Sequence, residues 1–268
     1  MMADVNKPTI GFIGYGNMAQ AMARGLVSSG AVEAGRIVAT AAHYDRLEGN
    51  AADLGIRPLR TAGQVAQASD LVVIAVKPKQ VAQVCAPIAG RLAGDDRFVV
   101  SVVGGWGMAD YEGVLKAGTH LVCAIPNTPI AVGRGIMVVQ AGNSLTPGQE
   151  DLFRGIFGRV ALLETLDEDQ TSVATTIAGC APAYTAMYME ALADAGVKHG
   201  LPRQTAYRLA ARMVEGTGAL YLATGTNPGA MKDAVCSPGG TTIKGVAALE
   251  KDGFRGAVID AIDVVEGE

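Results

Sequence analysis

Histidine is nearly absent from this chain: His43, His120 and His199 are the whole set. That leaves little material for a reaction centred on a histidine acid–base pair. The four cysteines, Cys85, Cys123, Cys180 and Cys236, are far apart, form no C-x-x-C pair and have no neighbouring histidines. They are expected to be free thiols, with no zinc site or disulfide framework, and no metal is expected elsewhere. Charged residues are only 18% of the 268 and are scattered, with a net charge of -4. No basic stripe exists, which argues against a nucleic-acid partner. The N-terminus has no signal-peptide plan, because Lys7 and Pro8 run directly into a short apolar stretch.

What is present is apolar surface. Hydrophobic residues make up 49%, and the mean hydropathy of +0.26 is high for a chain outside a membrane. The uncharged run from Thr171 to Met189 is too polar to span one, since it holds Gly179, Pro182, two tyrosines and several threonines. A cytoplasmic homo-oligomer that buries the surplus between subunits is the expected alternative.

Two periods divide the chain near residue 165. Before it, apolar runs at Thr9–Ile13, Arg36–Thr40, Leu71–Val76, Phe98–Val103, His120–Ile125, Ile136–Val139 and Val160–Glu164 are mostly separated by helix-length stretches. That alternation predicts an α/β domain, residues 1–165, with a Rossmann-like, doubly wound parallel sheet. After it, strand signals vanish. The acids Asp167, Glu168 and Asp169 suit the first turn of a helix reaching Val197, with Asp194 and Lys198 at pairing distance. Pro202 suits the first position of a second helix, and a third follows the Pro-Gly-Gly at 238–240. An all-α domain of about a hundred residues with broad apolar faces cannot bury itself, so an intertwined helical dimer over 166–268 is predicted. No internal repeat is present.

The first apolar run leads into Gly14-Tyr15-Gly16-Asn17-Met18-Ala19, a G-x-G-x-x-A turn between a strand and a helix. Gly14 allows the turn, Gly16 lets backbone approach a pyrophosphate, and Ala19 lets the helix pack against the sheet. A nicotinamide dinucleotide is the implied cofactor. The second strand ends at Thr40-Ala41-Ala42-His43, without the acid that an NAD site uses for the ribose diol. Thr40 and His43 could bond a 2′-phosphate, which favours NADPH, with NADH as the alternative. Ala75-Val76-Lys77-Pro78 ends the next predicted strand and should border the nicotinamide. Lys77 is read as solvent-facing, the contact being made by backbone.

These segments, with Pro126-Asn-Thr-Pro129, Ala183-Tyr184, Glu190-Ala-Leu-Ala-Asp-Ala-Gly-Val197 and above all Asp233-Ala-Val-Cys-Ser-Pro-Gly-Gly-Thr-Thr-Ile243, resemble the pyrroline-5-carboxylate reductase family. The resemblance spans nearly the whole chain and keeps the family's order. It implies reduction of 1-pyrroline-5-carboxylate to proline by NAD(P)H, a helical dimerisation domain, and assembly as a dimer or a ring of five dimers. By the same analogy Ser237, Gly239, Gly240, Thr241 and Thr242 hold the imino-acid carboxylate. Thr242 would face the ring nitrogen as the catalytic residue, and Asn127 would contact both substrate and nicotinamide. Without the family, the Ser-Pro-Gly-Gly-Thr-Thr segment reads equally as a small-anion site or as a plain helix cap by Ser237 or Thr241.

The chain departs from the family at Ala178-Gly179-Cys180-Ala181-Pro182, where a Ser-Gly-Ser-Gly-Pro run is usual, at Cys123 in place of an arginine, at Ala62 in place of an asparagine, and at Trp106. Trp106 either fills core or reshapes the ring pocket. A reductase of another cyclic imino acid and a non-catalytic NADP-binding protein are the rival readings. A β-hydroxyacid dehydrogenase would need a lysine on the helix after Glu168, and none lies between there and Val197.

Overall fold

A computed structural model describes residues 8–267. In chain order the elements are β1 (Ile10–Ile13), α1 (Asn17–Ser28), β2 (Ile37–Thr40), α2 (Tyr44–Leu54), β3 (Arg57–Pro58), α3 (Ala62–Ala68), β4 (Leu71–Ile74), α4 (Val81–Cys85), α5 (Ala89–Leu92), β5 (Phe98–Ser101), β6 (Leu121–Pro126), β7 (Gly135–Gln140), α6 (Pro147–Phe157), β8 (Ala161–Leu166) and α7 (Glu168–Thr175). A π-helical turn over Thr176–Cys180 is followed by α8 (Ala181–Lys198), α9 (Arg203–Thr224), α10 (Pro228–Ala234), α11 (Thr241–Lys251) and α12 (Phe254–Glu266). Contacts divide the chain into two compact units, one ending at Gly179 and one beginning at Cys180. Helix α7, placed by its sequence with the helical half, thus packs with the first unit.

The eight strands form one sheet in the order β3-β2-β1-β4-β5-β6-β7-β8. Strands β1, β2, β4 and β5 are buried at every position, which is why they read as unbroken apolar runs. Alternate side chains feed two cores. Phe12, Val73, Val100 and Val122 join Met22 and Leu26 of α1 and Phe153 and Phe157 of α6 on one face. Ile13, Val38, Val72 and Val99 join Val65 of α3 and Val81 of α4 on the other. Local chemistry fixes two of these helices: Thr61 with Gln64 and Thr146 with Gln149 form capping boxes at α3 and α6.

The expected all-parallel sheet is corrected at one junction. Strand β7 runs antiparallel to β6, because only the short 3-10 turn at Thr128–Val132 joins them. A parallel return would need a crossover of a dozen or more residues. In the second unit the predicted pair of Asp194 and Lys198 is replaced by an ion pair from Arg203 to Asp194. Pro202 stands one place earlier than expected, as the N-cap of α9. Glu168 and Asp169 lie in the first turn of α7 as expected, while Asp167 stands one place earlier, at the N-cap position, without a side-chain cap bond. No helix among the described residues is long and apolar enough to cross a membrane.

The helical unit buries little of its own. Among its described residues the buried apolar ones are the alanines Ala193, Ala206 and Ala210, while Leu222 of α9 is 72% exposed and Val264 of α12 is 75% exposed. The apolar faces read from the sequence are therefore real and lie open on one subunit.

His120 fastens the start of β6. Its Nε2 lies 2.9 Å from Asp95 Oδ1 and its Nδ1 lies 2.6 Å from the Ser144 carbonyl oxygen. Both nitrogens face acceptors, so both must donate, and the ring is best satisfied as imidazolium. The Asp95 carboxylate first, then the Ser144 carbonyl, raise its pKa. A folded value above the unfolded one gives stability that is complete below about pH 6.5 and fades as pH rises through the folded value. Melting followed at pH 6 and pH 8.5 should show His120→Gln lowering Tm by about 1–3 °C at the acid end only. An equal loss at both pH values would contradict the charged clamp.

Candidate functional site

Gly14 sits at φ +93 where β1 turns towards α1, a region closed to most side chains. A Cβ there would meet the Ala75 carbonyl oxygen at 2.5 Å, so the turn is pressed against the end of β4. Gly16 is the N-cap of α1, in ordinary extended backbone, and offers the helix no side-chain cap. A Cβ on Gly16 would meet nothing within 4 Å. The first amides of α1 are thus left for an external acceptor, reached across open space. Ala19 is buried at 1% exposure, so the helix lies close on the sheet. Tyr15 is anchored in the core at 5% exposure, and burial pushes its hydroxyl up to about 12, despite an opposing effect of Arg24.

This turn forms the floor of a cavity of about 590 Å³. Its wall includes the predicted Gly14, Tyr15, Gly16, Asn17, Thr40, His43, Ala75, Val76 and Lys77, and also Arg46, Asn50, Ala62 and Gln80. Met18, Ala19 and Pro78, also predicted, do not line it: two lie in the first turn of α1, and Pro78 opens the 3-10 turn that follows β4. Lys77 is exposed at the rim, as expected. The sheet order places β2 on one side of β1 and β4 on the other, so the cavity straddles the point where strand order reverses. Its charged lining residues are Arg46 and Lys77, and no carboxylate is among them. The chemistry fits an extended polyanion such as a dinucleotide phosphate.

Asn127 has a structural task of its own. It is buried at 5% exposure. Its Nδ2 donates to the Ala178 carbonyl at 2.9 Å, and its Oδ1 accepts from the Ile136 amide at 2.8 Å. The first bond has a local cause. Pro182 lacks the N–H that a regular helix would return to the carbonyl four residues back, and that residue is Ala178. Asn127 satisfies the orphaned oxygen while fixing the β6–β7 turn. Asn127→Ala should lower stability by about 2–4 kcal/mol, read by urea denaturation, and a loss under about 0.5 kcal/mol would contradict this role.

Trp106 is half-buried and edge-on to Tyr111, with ring centroids 5.1 Å apart. The Tyr111 hydroxyl lies 2.7 Å from Ser101 Oγ. Trp106 also lines a second cavity of about 410 Å³, together with Cys123, Gln140, Glu168 and Thr175. Burial pushes the Cys123 thiol up to about 12 and that of Cys85 up to about 11. Both are therefore neutral and poorly nucleophilic at physiological pH.

In the helical unit, the Ser-Pro-Gly-Gly-Thr-Thr segment makes a tight turn with Gly239 at φ +69 and a bond from the Gly240 amide to the Ser237 carbonyl oxygen at 3.0 Å. Helix α11 then starts at Thr241. Its N-cap is Gly240, and no side chain caps it. The plain-cap reading, with Ser237 or Thr241 as capping residue, is therefore corrected. Ser237, Thr241 and Thr242 are exposed at a helix start whose amides are unclaimed.

A glycine turn beneath a carboxylate-free cavity, on a sheet of reversing strand order, defines a Rossmann-type oxidoreductase of the nicotinamide-dinucleotide class. Residues 9–105 match the family described as NADP oxidoreductase, coenzyme F420-dependent. Residues 168–266 match the family described as pyrroline-5-carboxylate reductase dimerisation. The chain is 39% identical over 257 residues to a pyrroline-5-carboxylate reductase of Treponema pallidum, covering 94% of this chain and 97% of that one. Among solved structures, a pyrroline-5-carboxylate reductase from Coxiella burnetii is 32% identical with a TM-score of 0.85, covering 97% of this chain and 96% of that one. The Plasmodium falciparum pyrroline carboxylate reductase, solved with NADP bound, is 26% identical with a TM-score of 0.84, covering 97% and 95%. This chain belongs to the pyrroline-5-carboxylate reductase family.

Proposed function

We propose that the protein reduces 1-pyrroline-5-carboxylate to L-proline with NADPH, the last step of proline biosynthesis, as a cytoplasmic homodimer or a ring of five such dimers. The observation that carries the reading, in a chain of this family, is the uncapped start of α11 at Gly240–Thr242. An unclaimed helix start with a positive dipole end suits one small carboxylate. The NADP bound to the Plasmodium falciparum relative and the carboxylate-free cavity at Gly14–Asn17 support NADPH.

Bound at that cavity, NADPH supplies a hydride for the imine carbon. The protein's own work is placement. The amides of α1 and the open approach over Gly16 hold the pyrophosphate, and the β4 end at Ala75–Lys77 borders the nicotinamide. The free amides of Thr241 and Thr242 and the Ser237 hydroxyl hold the substrate carboxylate, with Gly239 and Gly240 shaping the turn that presents them. The Thr242 hydroxyl faces the ring nitrogen and keeps its proton in place, because a protonated iminium accepts hydride far more readily than a neutral imine. A threonine hydroxyl is too weak an acid to protonate the ring unaided, so orientation is the larger effect. Asn127 holds the β6–β7 turn.

The test is Thr242→Ala. NADPH affinity should stay within about 2-fold, while kcat with the 5-carboxylate imine falls roughly 100-fold. Undiminished kcat would remove Thr242 from the reaction.

A further inference from the structure

The sequence offers no arginine at the end of β2, the place where a 2′-phosphate is normally read. The structure supplies one from the next helix. Arg46 lies in the first turn of α2 and reaches the same cavity wall as Thr40 and His43. Among the described residues no ion pair claims it, and the cavity lining holds no carboxylate that would compete for it. Asp45, the acid of that helix turn, is exposed to solvent. His43 is the N-cap of α2 yet makes no side-chain cap bond, so its ring is free of that duty. Both residues stand on the β2 side of the glycine turn, whereas Lys77 stands on the β4 side.

We infer that Arg46 is the residue that selects NADPH over NADH, by pairing with the 2′-phosphate of the adenosine ribose, with His43 as a lesser second donor. The inference rests on the proposed dinucleotide reading of the cavity and adds which residue sets the preference. A dinucleotide whose pyrophosphate lies on the α1 amides has its adenosine half on the β2 side, which is where Arg46 and His43 are. Lys77, on the nicotinamide side, then contributes nothing to the discrimination. Guanidinium also matches a phosphate with a two-pronged hydrogen bond, which makes arginine a strong reader of the extra group.

Titration with 2′,5′-ADP and with 5′-ADP separates the 2′-phosphate from the rest of the nucleotide without any turnover. Arg46→Ala should weaken 2′,5′-ADP roughly 10- to 100-fold and leave 5′-ADP within about 2-fold. Arg46→Lys, which keeps the charge but loses the two-pronged match, should recover only a minor part of the lost affinity, and Lys77→Ala should leave the ratio of the two ligands unchanged. Arg46 is exposed on α2, so unchanged thermal melting will show that the variants are folded. Wild-type affinity of Arg46→Ala for 2′,5′-ADP overturns the inference, and so does equal weakening of both ligands. Failure of the wild-type protein to bind either ligand or NADPH overturns the dinucleotide reading itself.

Discussion

Gly16→Val should leave a folded protein that scarcely binds NADPH. The position is in extended backbone with open space where a Cβ would stand, so the fold tolerates a side chain. Losing glycine at a helix N-cap costs about 1 kcal/mol, or roughly 2–4 °C in Tm for a chain of this size. In the proposed binding mode the valine would, however, stand between the α1 amides and the pyrophosphate, and affinity for NADPH should fall by at least about 100-fold. Gly14→Ala is the contrast. There the backbone is left-handed at φ +93 and the Ala75 carbonyl would be 2.5 Å from the new Cβ, so stability itself should fall by about 2–4 kcal/mol. Calorimetric titration together with melting curves separates the two. NADPH binding by Gly16→Val at wild-type strength would mean that the turn is a structural feature and the cavity holds something else.

The second large effect concerns the helical half. Leu220 on α9 and Ile259 on α12 are 53% and 59% exposed in one subunit, in a unit whose buried apolar residues are small. Covering a large apolar side chain is worth about 1.5–3 kcal/mol, and an aspartate in its place adds the cost of desolvating a charge. The double variant Leu220→Asp, Ile259→Asp should therefore dissociate. By sedimentation, the wild type should run at no less than twice the 27.4 kDa chain mass, and the variant at the mass of one chain with its reductase activity lost. A wild type that sediments as a single chain would contradict the account of the open apolar faces.

The parts of this fold that were legible in the sequence are those written by local rules. Buried strands announced themselves as apolar runs, the glycine turn by its spacing and context, and α7 by its acids. Strand β3 did not, because two residues, one of them Pro58, leave no pattern. The reversal at β7 was missed since strand direction depends on how far a connection can reach, and its residues look the same either way. A ligand contact for Asn127 is what the family resemblance implies, but its structural role was not legible. Asn127 also bonds the Ala178 carbonyl, a partner set by a proline 55 positions later, although the absent N–H of Pro182 was a visible signal. The place of Arg46 was hidden for the same kind of reason: it lies a few residues beyond the strand end, and only the start of α2 brings it back to the cavity wall.

The central claim is that this chain reduces a five-membered cyclic imino acid with NADPH. Its most direct test is the loss of NADPH absorbance by purified protein given 1-pyrroline-5-carboxylate, beside six-membered and 2-carboxylate imines and beside NADH. The account predicts rapid oxidation with the 5-carboxylate and NADPH, slower oxidation with the other imines and with NADH, and near-total loss in Thr242→Ala. Bound NADPH without turnover of any imine would contradict it.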